Sequence, residues 1–117
     1  MKGQGFSRRL GYALAGIRVA FRRERSLRTH CAAALGVALF LAATGASPLW
    51  WALVGLAVGL VLVAEMANTA IEALADLLHP GQHPEIGVAK DVAAGAVLVA
   101  TGVAVVVGLA YLVQWLR

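Results

Sequence analysis

Cysteine, acid and proline are all scarce in this sequence, and each scarcity excludes something. One cysteine, Cys31, cannot form an intrachain disulfide; it opens an apolar run, where a thiol serves as a small packed residue. Neither G-x-x-x-x-G-K-[ST] nor G-x-G-x-x-G occurs, so a nucleotide, if bound, is not held by a familiar glycine-rich loop. No secretory leader is expected, since the first thirty residues are too basic and too interrupted to hold an apolar core before a cleavage site. Charge itself is thin: 14% of the 117 residues are charged against 61% hydrophobic. With a mean hydropathy of +0.80, the chain falls in the membrane class and is long enough for one domain, 1–117.

The placement of the few charges says more than the net value of +4. Eight of ten cationic residues lie within residues 2–28, and five of six acids lie between Glu65 and Asp91. A basic segment ahead of an apolar span puts the N-terminus in the cytoplasm by the positive-inside rule. So basic a stretch also suits nucleic acid, but the rest of the chain is far too apolar to favour that partner.

The predicted architecture is an all-α membrane protein, an N-terminal amphipathic surface helix followed by three transmembrane helices. The surface helix covers about residues 5–25: Phe6, Leu10, Leu14, Ile17 and Phe21 keep 3–4 spacing, with arginines over the remainder. Glu24, the only acid there, reads as an ion pair with Arg28 at i+4 or as a functional carboxylate. Ser26 precedes the next apolar run and reads as its cap. The spans are predicted at about 28–46, 49–78 and 85–116. Thr44–Pro48 forms an uncharged outer turn, followed by Trp50 and Trp51 at the interface. His79–Pro84 breaks the chain into a cytoplasmic loop. Its two histidines, without cysteine, read first as solvated residues rather than metal ligands. Gly55 and Gly59, with Ala93-Ala94-Gly95, are expected to allow close helix contact.

Glu65, Asn68, Glu72 and Asp76 fall at i, i+3, i+7 and i+11, which stacks them on one face of the second span, with Thr69 beside them. A helix of thirty residues reaches about 45 Å, longer than the hydrocarbon core, so its last turns project into the cytoplasmic headgroup layer. Glu65 then lies roughly 24 Å from the outer end, near the inner edge of the hydrocarbon, and Glu72 about 10 Å further, where water reaches. Acids entering a membrane helix on one side mark a functional site, although Asp76 at the far end also reads as an ordinary solvated acid. Carboxylates that hold a hard cation, together with Lys90, are what phosphoryl transfer needs. A small proton-coupled transporter titrating at Glu65, or a scaffold with purely structural acids, also remains open on these residues alone. Arg28 and His30 stand at the headgroup end of an otherwise apolar first span, able to donate hydrogen bonds to a lipid hydroxyl or phosphate.

The segment Glu65-x-x-Asn-Thr-Ala-Ile-Glu72-x-x-x-Asp76, followed by Ala89-Lys-Asp91 and Ala94-Gly-Ala-Val-Leu98, resembles the prokaryotic diacylglycerol kinase and undecaprenol kinase family over nearly the whole chain. The resemblance implies a homotrimer with composite active sites in the bacterial plasma membrane. It implies magnesium-dependent transfer of the ATP γ-phosphate to a lipid alcohol on the cytoplasmic side. Carried over by position, Glu65 is similar to the family's proposed base and Asn68 to a positioning residue at the catalytic centre. Glu24 and Glu72 match its metal-binding carboxylates. Tyr12, Glu24, Glu72, Gly81, His83, Lys90 and Asp91 align with nucleotide contacts. Shorter spacing between Phe6 and Tyr12 than in enterobacterial members leaves Arg8 or Arg9 as the lipid-contact arginine, and Arg23 stands where an asparagine is common. Ser26-Leu-Arg-Thr-His30 and His83-Pro84 look more like the undecaprenol-using branch, so undecaprenol is the expected lipid and diacylglycerol the alternative.

Overall fold

A single extended residue, Glu24 (φ −104°, ψ 110°), separates the first two helices, α1 (Phe6–Arg23) and α2 (Arg25–Ala43). Two long helices follow, α3 (Pro48–Leu78) and α4 (Pro84–Leu116), in a computed structural model that describes residues 3–117. Lys2, the first member of the basic run, lies outside them. The described residues contain no strand, and α2, α3 and α4 are each long and apolar enough to cross a membrane. The protein is an all-α integral membrane protein.

The break at Glu24 falls earlier than the sequence predicts, and α2 therefore starts near residue 25 rather than 28. Arg28 explains the position: its guanidinium donates to the carbonyls of Phe21 and Arg22, both at 2.8 Å. A cation on the last free carbonyls of α1 satisfies them and suits the negative end of the helix dipole. The alternative i+4 pair between Arg28 and Glu24 does not form. Ser26, expected as a cap, lies inside α2.

At the other end of α2, Gly45 takes a left-handed conformation (φ +68°). Its N–H donates to Ala42 and the N–H of Ala46 to Leu41, the paired closure of a Schellman turn. Pro48 then occupies the first turn of α3, where its missing N–H costs nothing. The loop into α4 is closed by His83, whose Nδ1 accepts the N–H of Glu85 at 3.1 Å ahead of Pro84.

α3 and α4 form an antiparallel hairpin, and α2 packs on α3. Small buried residues, Ala57 on α3 and Ala93 and Ala100 on α4, line the inner faces of that hairpin. Gly55 and Gly59, expected there, lie elsewhere: a side chain built at either meets nothing within 4 Å. They differ in azimuth from Ala57 and Val61, the residues of α3 that turn inward.

A buried cluster sits at the Gly45 end of the helices, where Leu41, Val54 and Tyr111 are buried together beside Trp50. Phe40 of α2 lies edge-on to Tyr111 and Trp115 of α4, at 6.1 and 5.2 Å between ring centroids, and the Thr44 hydroxyl pairs with that of Tyr111. The α2 and α4 backbones do not pack against each other, so these side chains join two helices that diverge inward.

Candidate active site

The inward stripe of α3 changes character at Glu65. Val54, Ala57 and Val61 are buried along it, and the same 3–4 spacing carries on into Glu65, Asn68 and Glu72. Exposure rises along the polar half: Glu65 is only 4% exposed, Asn68 and Glu72 are half-buried, and Asp76 is exposed.

A carboxylate so deeply placed needs partners, because an unpaired buried charge is costly. Both come from α2. His30 Nδ1 lies 2.9 Å from one carboxylate oxygen of Glu65, and the Ser26 hydroxyl donates to the other at 3.4 Å. The histidine contact is close but off the direction of a well-formed hydrogen bond, so it is an ion-pair contact when the imidazole is charged. Ser26 and His30 are one turn apart, which puts both on the face of α2 that meets α3. Ser26 is the site residue that sequence reasoning missed. Its i+4 spacing to His30 was visible, but the helix they jointly face was not.

Thr69 turns its hydroxyl back onto the Glu65 carbonyl at 2.9 Å and is satisfied within its own helix. Asn68 differs: its Oδ1 is buried with no partner in the chain. Glu24, at the α1–α2 elbow, and Glu72 are half-buried, and among the described residues neither side chain makes a hydrogen bond or ion pair. No group of three metal-ligating side chains converges among the described residues. Glu24 and Glu72 nevertheless offer carboxylate oxygens of the kind a hard divalent cation takes, with phosphate and water completing the shell. The residues present fit magnesium on that ground.

Near the α3–α4 loop, Lys90 Nζ pairs with Asp76 at 2.5 Å, tying the last turns of α3 to the second turn of α4. Asp76 is thus an ion-pair partner rather than a free solvated acid. Gly81, His83 and Lys90 line a common polar basin of about 570 Å³ formed by the α3–α4 loop. The ring of His83 rests on that of His79, 5.1 Å between centroids. Asp91 does not line this basin, and Tyr12 and Arg8 sit exposed on α1, also outside it. Arg28 is committed to the α1 carbonyls described above.

Where α2 and α4 diverge, a second cavity of about 250 Å³ opens between α2, α3 and α4. Its walls are apolar, with Ala33, Ala34, Val37, Val58 and Val105 among them, and His30 is the ionisable residue on its lining. Ala33, Val37 and Val105 are themselves exposed, so the cleft opens to the outer surface of the helices. His30 therefore touches both Glu65 and the cleft.

A family model described as prokaryotic diacylglycerol kinase matches residues 11–112. The undecaprenol kinase of Bacillus subtilis (strain 168) is 37% identical over 98 residues, covering 84% of this chain and 80% of that protein. The diacylglycerol kinase of Synechocystis sp. is also 37% identical over 98 residues, covering 83% of this chain and 56% of its own length. The diacylglycerol kinase of Escherichia coli (strain K12) is 33% identical over 105 residues, covering 87% of this chain and 86% of its own.

Proposed function

The chain belongs to the prokaryotic diacylglycerol kinase family, and from that premise we propose a membrane lipid kinase that transfers the γ-phosphoryl group of MgATP to a lipid alcohol, undecaprenol ahead of diacylglycerol. The observation that carries this reading is the α3 stripe, which leads from a buried carboxylate beside an apolar cleft to half-buried carboxylates and a polar basin. One helix face joins a place for a lipid hydroxyl to a place for a water-soluble phosphate donor.

Glu65 is the proposed base. Its carboxylate takes the proton of the lipid hydroxyl as that oxygen forms its bond to the γ-phosphorus and the bond to the β-phosphate oxygen breaks, releasing ADP. Asn68 positions the reacting groups through its unpartnered buried oxygen. Glu24 and Glu72 would hold magnesium, which when bound neutralises phosphate charge. Gly81, His83 and Lys90 in the loop basin, with Tyr12 and Asp91, are the proposed nucleotide contacts. For Lys90 this requires exchanging the Asp76 carboxylate for a phosphate oxygen. Arg8 and His30, and Arg28 from its place at the elbow, are the proposed lipid contacts. The protein would act as a homotrimer in the bacterial plasma membrane, with its N-terminus and active site on the cytoplasmic side.

The preference for undecaprenol rests on the apolar cleft lined by His30, which offers little to satisfy ester carbonyls. Purified protein with magnesium, labelled ATP and each lipid in the same detergent tests this through kcat/KM. Undecaprenol is expected to give the higher value. A clear preference for diacylglycerol would reverse the lipid assignment and leave the kinase assignment standing.

A further inference from the structure

The two contacts that α2 makes with Glu65 fall on different carboxylate oxygens. His30 approaches Oε1 and Ser26 donates to Oε2, from side chains one turn apart. A single contact would leave the carboxylate free to rotate about its last torsion, which is broad in glutamate. Two contacts from one helix face, one near each oxygen, restrict that rotation. The α1–α2 elbow sets the register of this grip, because the break at Glu24 and the Arg28 cap start α2 where Ser26 and His30 face α3.

We propose that Ser26 and His30 are a pair of positioning residues that hold the Glu65 carboxylate in its reactive orientation. The inference rests on the reading of Glu65 as the base. A base must meet the hydroxyl it deprotonates within hydrogen-bond reach, and a carboxylate that swings away is an ineffective acceptor. His30 also lines the apolar cleft, so the grip sits at the point where a lipid hydroxyl meets the base. The pair thereby gives His30 a role beyond contacting lipid and gives Ser26 a role of its own.

The test compares Ser26→Ala, His30→Ala and the double variant with Ser26→Thr and His30→Asn, which keep a hydroxyl and a donor near the position of Nδ1. Steady-state kinetics are measured with MgATP and the better lipid, with Glu65→Gln alongside. Each alanine variant is expected to lose about 10-fold or more in kcat with KM for MgATP within about 2-fold, and Ser26→Ala, which removes no proposed lipid contact, is expected to keep KM for lipid within about 2-fold as well, the pattern of a lost transition-state contribution. Ser26→Thr and His30→Asn are expected to recover part of the loss. Unchanged kcat in both alanine variants, while Glu65→Gln is inactive, would overturn the pair and leave the base in place. A raised lipid KM with kcat intact would overturn it too, making these residues lipid contacts only. An active Glu65→Gln would remove the base, and the pair with it. If His30→Ala does not fold, Ser26→Ala alone decides, since it removes one hydroxyl from an otherwise intact helix.

Discussion

The proposed function gives the carboxylates of the site two different tasks, and their surroundings separate them. Glu65 is buried and gripped on both oxygens, whereas Glu72 and Glu24 have no protein partner among the described residues. Replacement by glutamine should therefore act differently at each. Glu65→Gln is expected to keep MgATP binding and to lower kcat by about 10²-fold or more, the usual loss when a positioned proton acceptor is removed. Glu24→Gln and Glu72→Gln are expected to raise the magnesium concentration needed for half-maximal activity and to leave the KM for lipid nearly unchanged. Magnesium titrations of the three variants separate the two roles. Wild-type magnesium dependence in both of the latter would remove them from metal binding.

Among the elements, the connections decide more than the spans. The helical stretches follow from apolar runs and depend little on any single residue, but the elbow at Glu24 and the turn at Gly45 set how those helices meet. Gly45 is left-handed and closes α2 with two backbone hydrogen bonds. Gly45→Ala is expected to destabilise the protein by roughly 1–2 kcal/mol, the cost of placing a Cβ in that conformation. Thermal unfolding in detergent would register this as a lower midpoint with little change in kcat, since the turn precedes α3 and Glu65 lies about 26 Å of helix rise beyond Pro48. The polar stripe belongs to this scale as well. Its spacing was readable as one face of a helix, yet only the packing of the helices showed that the same face is the buried one in the N-terminal half of α3.

For the whole molecule, few apolar side chains are buried and many large ones are exposed. Leu56, Leu60, Val63, Leu98, Val99 and Val106 all point outward. Such surface requires lipid or neighbouring chains around α2, α3 and α4, consistent with a membrane protein and with the proposed trimer. A proton-coupled transporter would also be apolar outside and carry a buried glutamate, so surface alone does not separate it from a kinase. Nucleotide binding does. MgATP at a hundredfold excess over its Kd is expected to stabilise the folded protein by about 2.7 kcal/mol, raising the unfolding midpoint in detergent. Magnesium with a non-nucleotide anion at equal ionic strength serves as the control, and an equal shift from both would count against a nucleotide site.

Sequence by itself determined what depends on local chemistry and period: the apolar spans, the amphipathic first helix, the polar face of α3 and the breaks at Pro48 and Pro84. These follow because helix period and transfer to lipid act residue by residue along a chain. The family resemblance was legible for the same reason, in short segments around Glu65, Lys90 and Gly95. Tertiary structure decided what depends on which faces meet. It placed Ser26 on Glu65 instead of at a cap, committed Arg28 to the carbonyls of α1, paired Lys90 with Asp76 and turned Gly55 and Gly59 away from the helix contact. Each of these rests on the relative rotation and start of two helices, and a shift of one residue turns a side chain by about 100°. That register is set by the elbow and by side-chain packing between helices, neither of which is written in the period of a single segment.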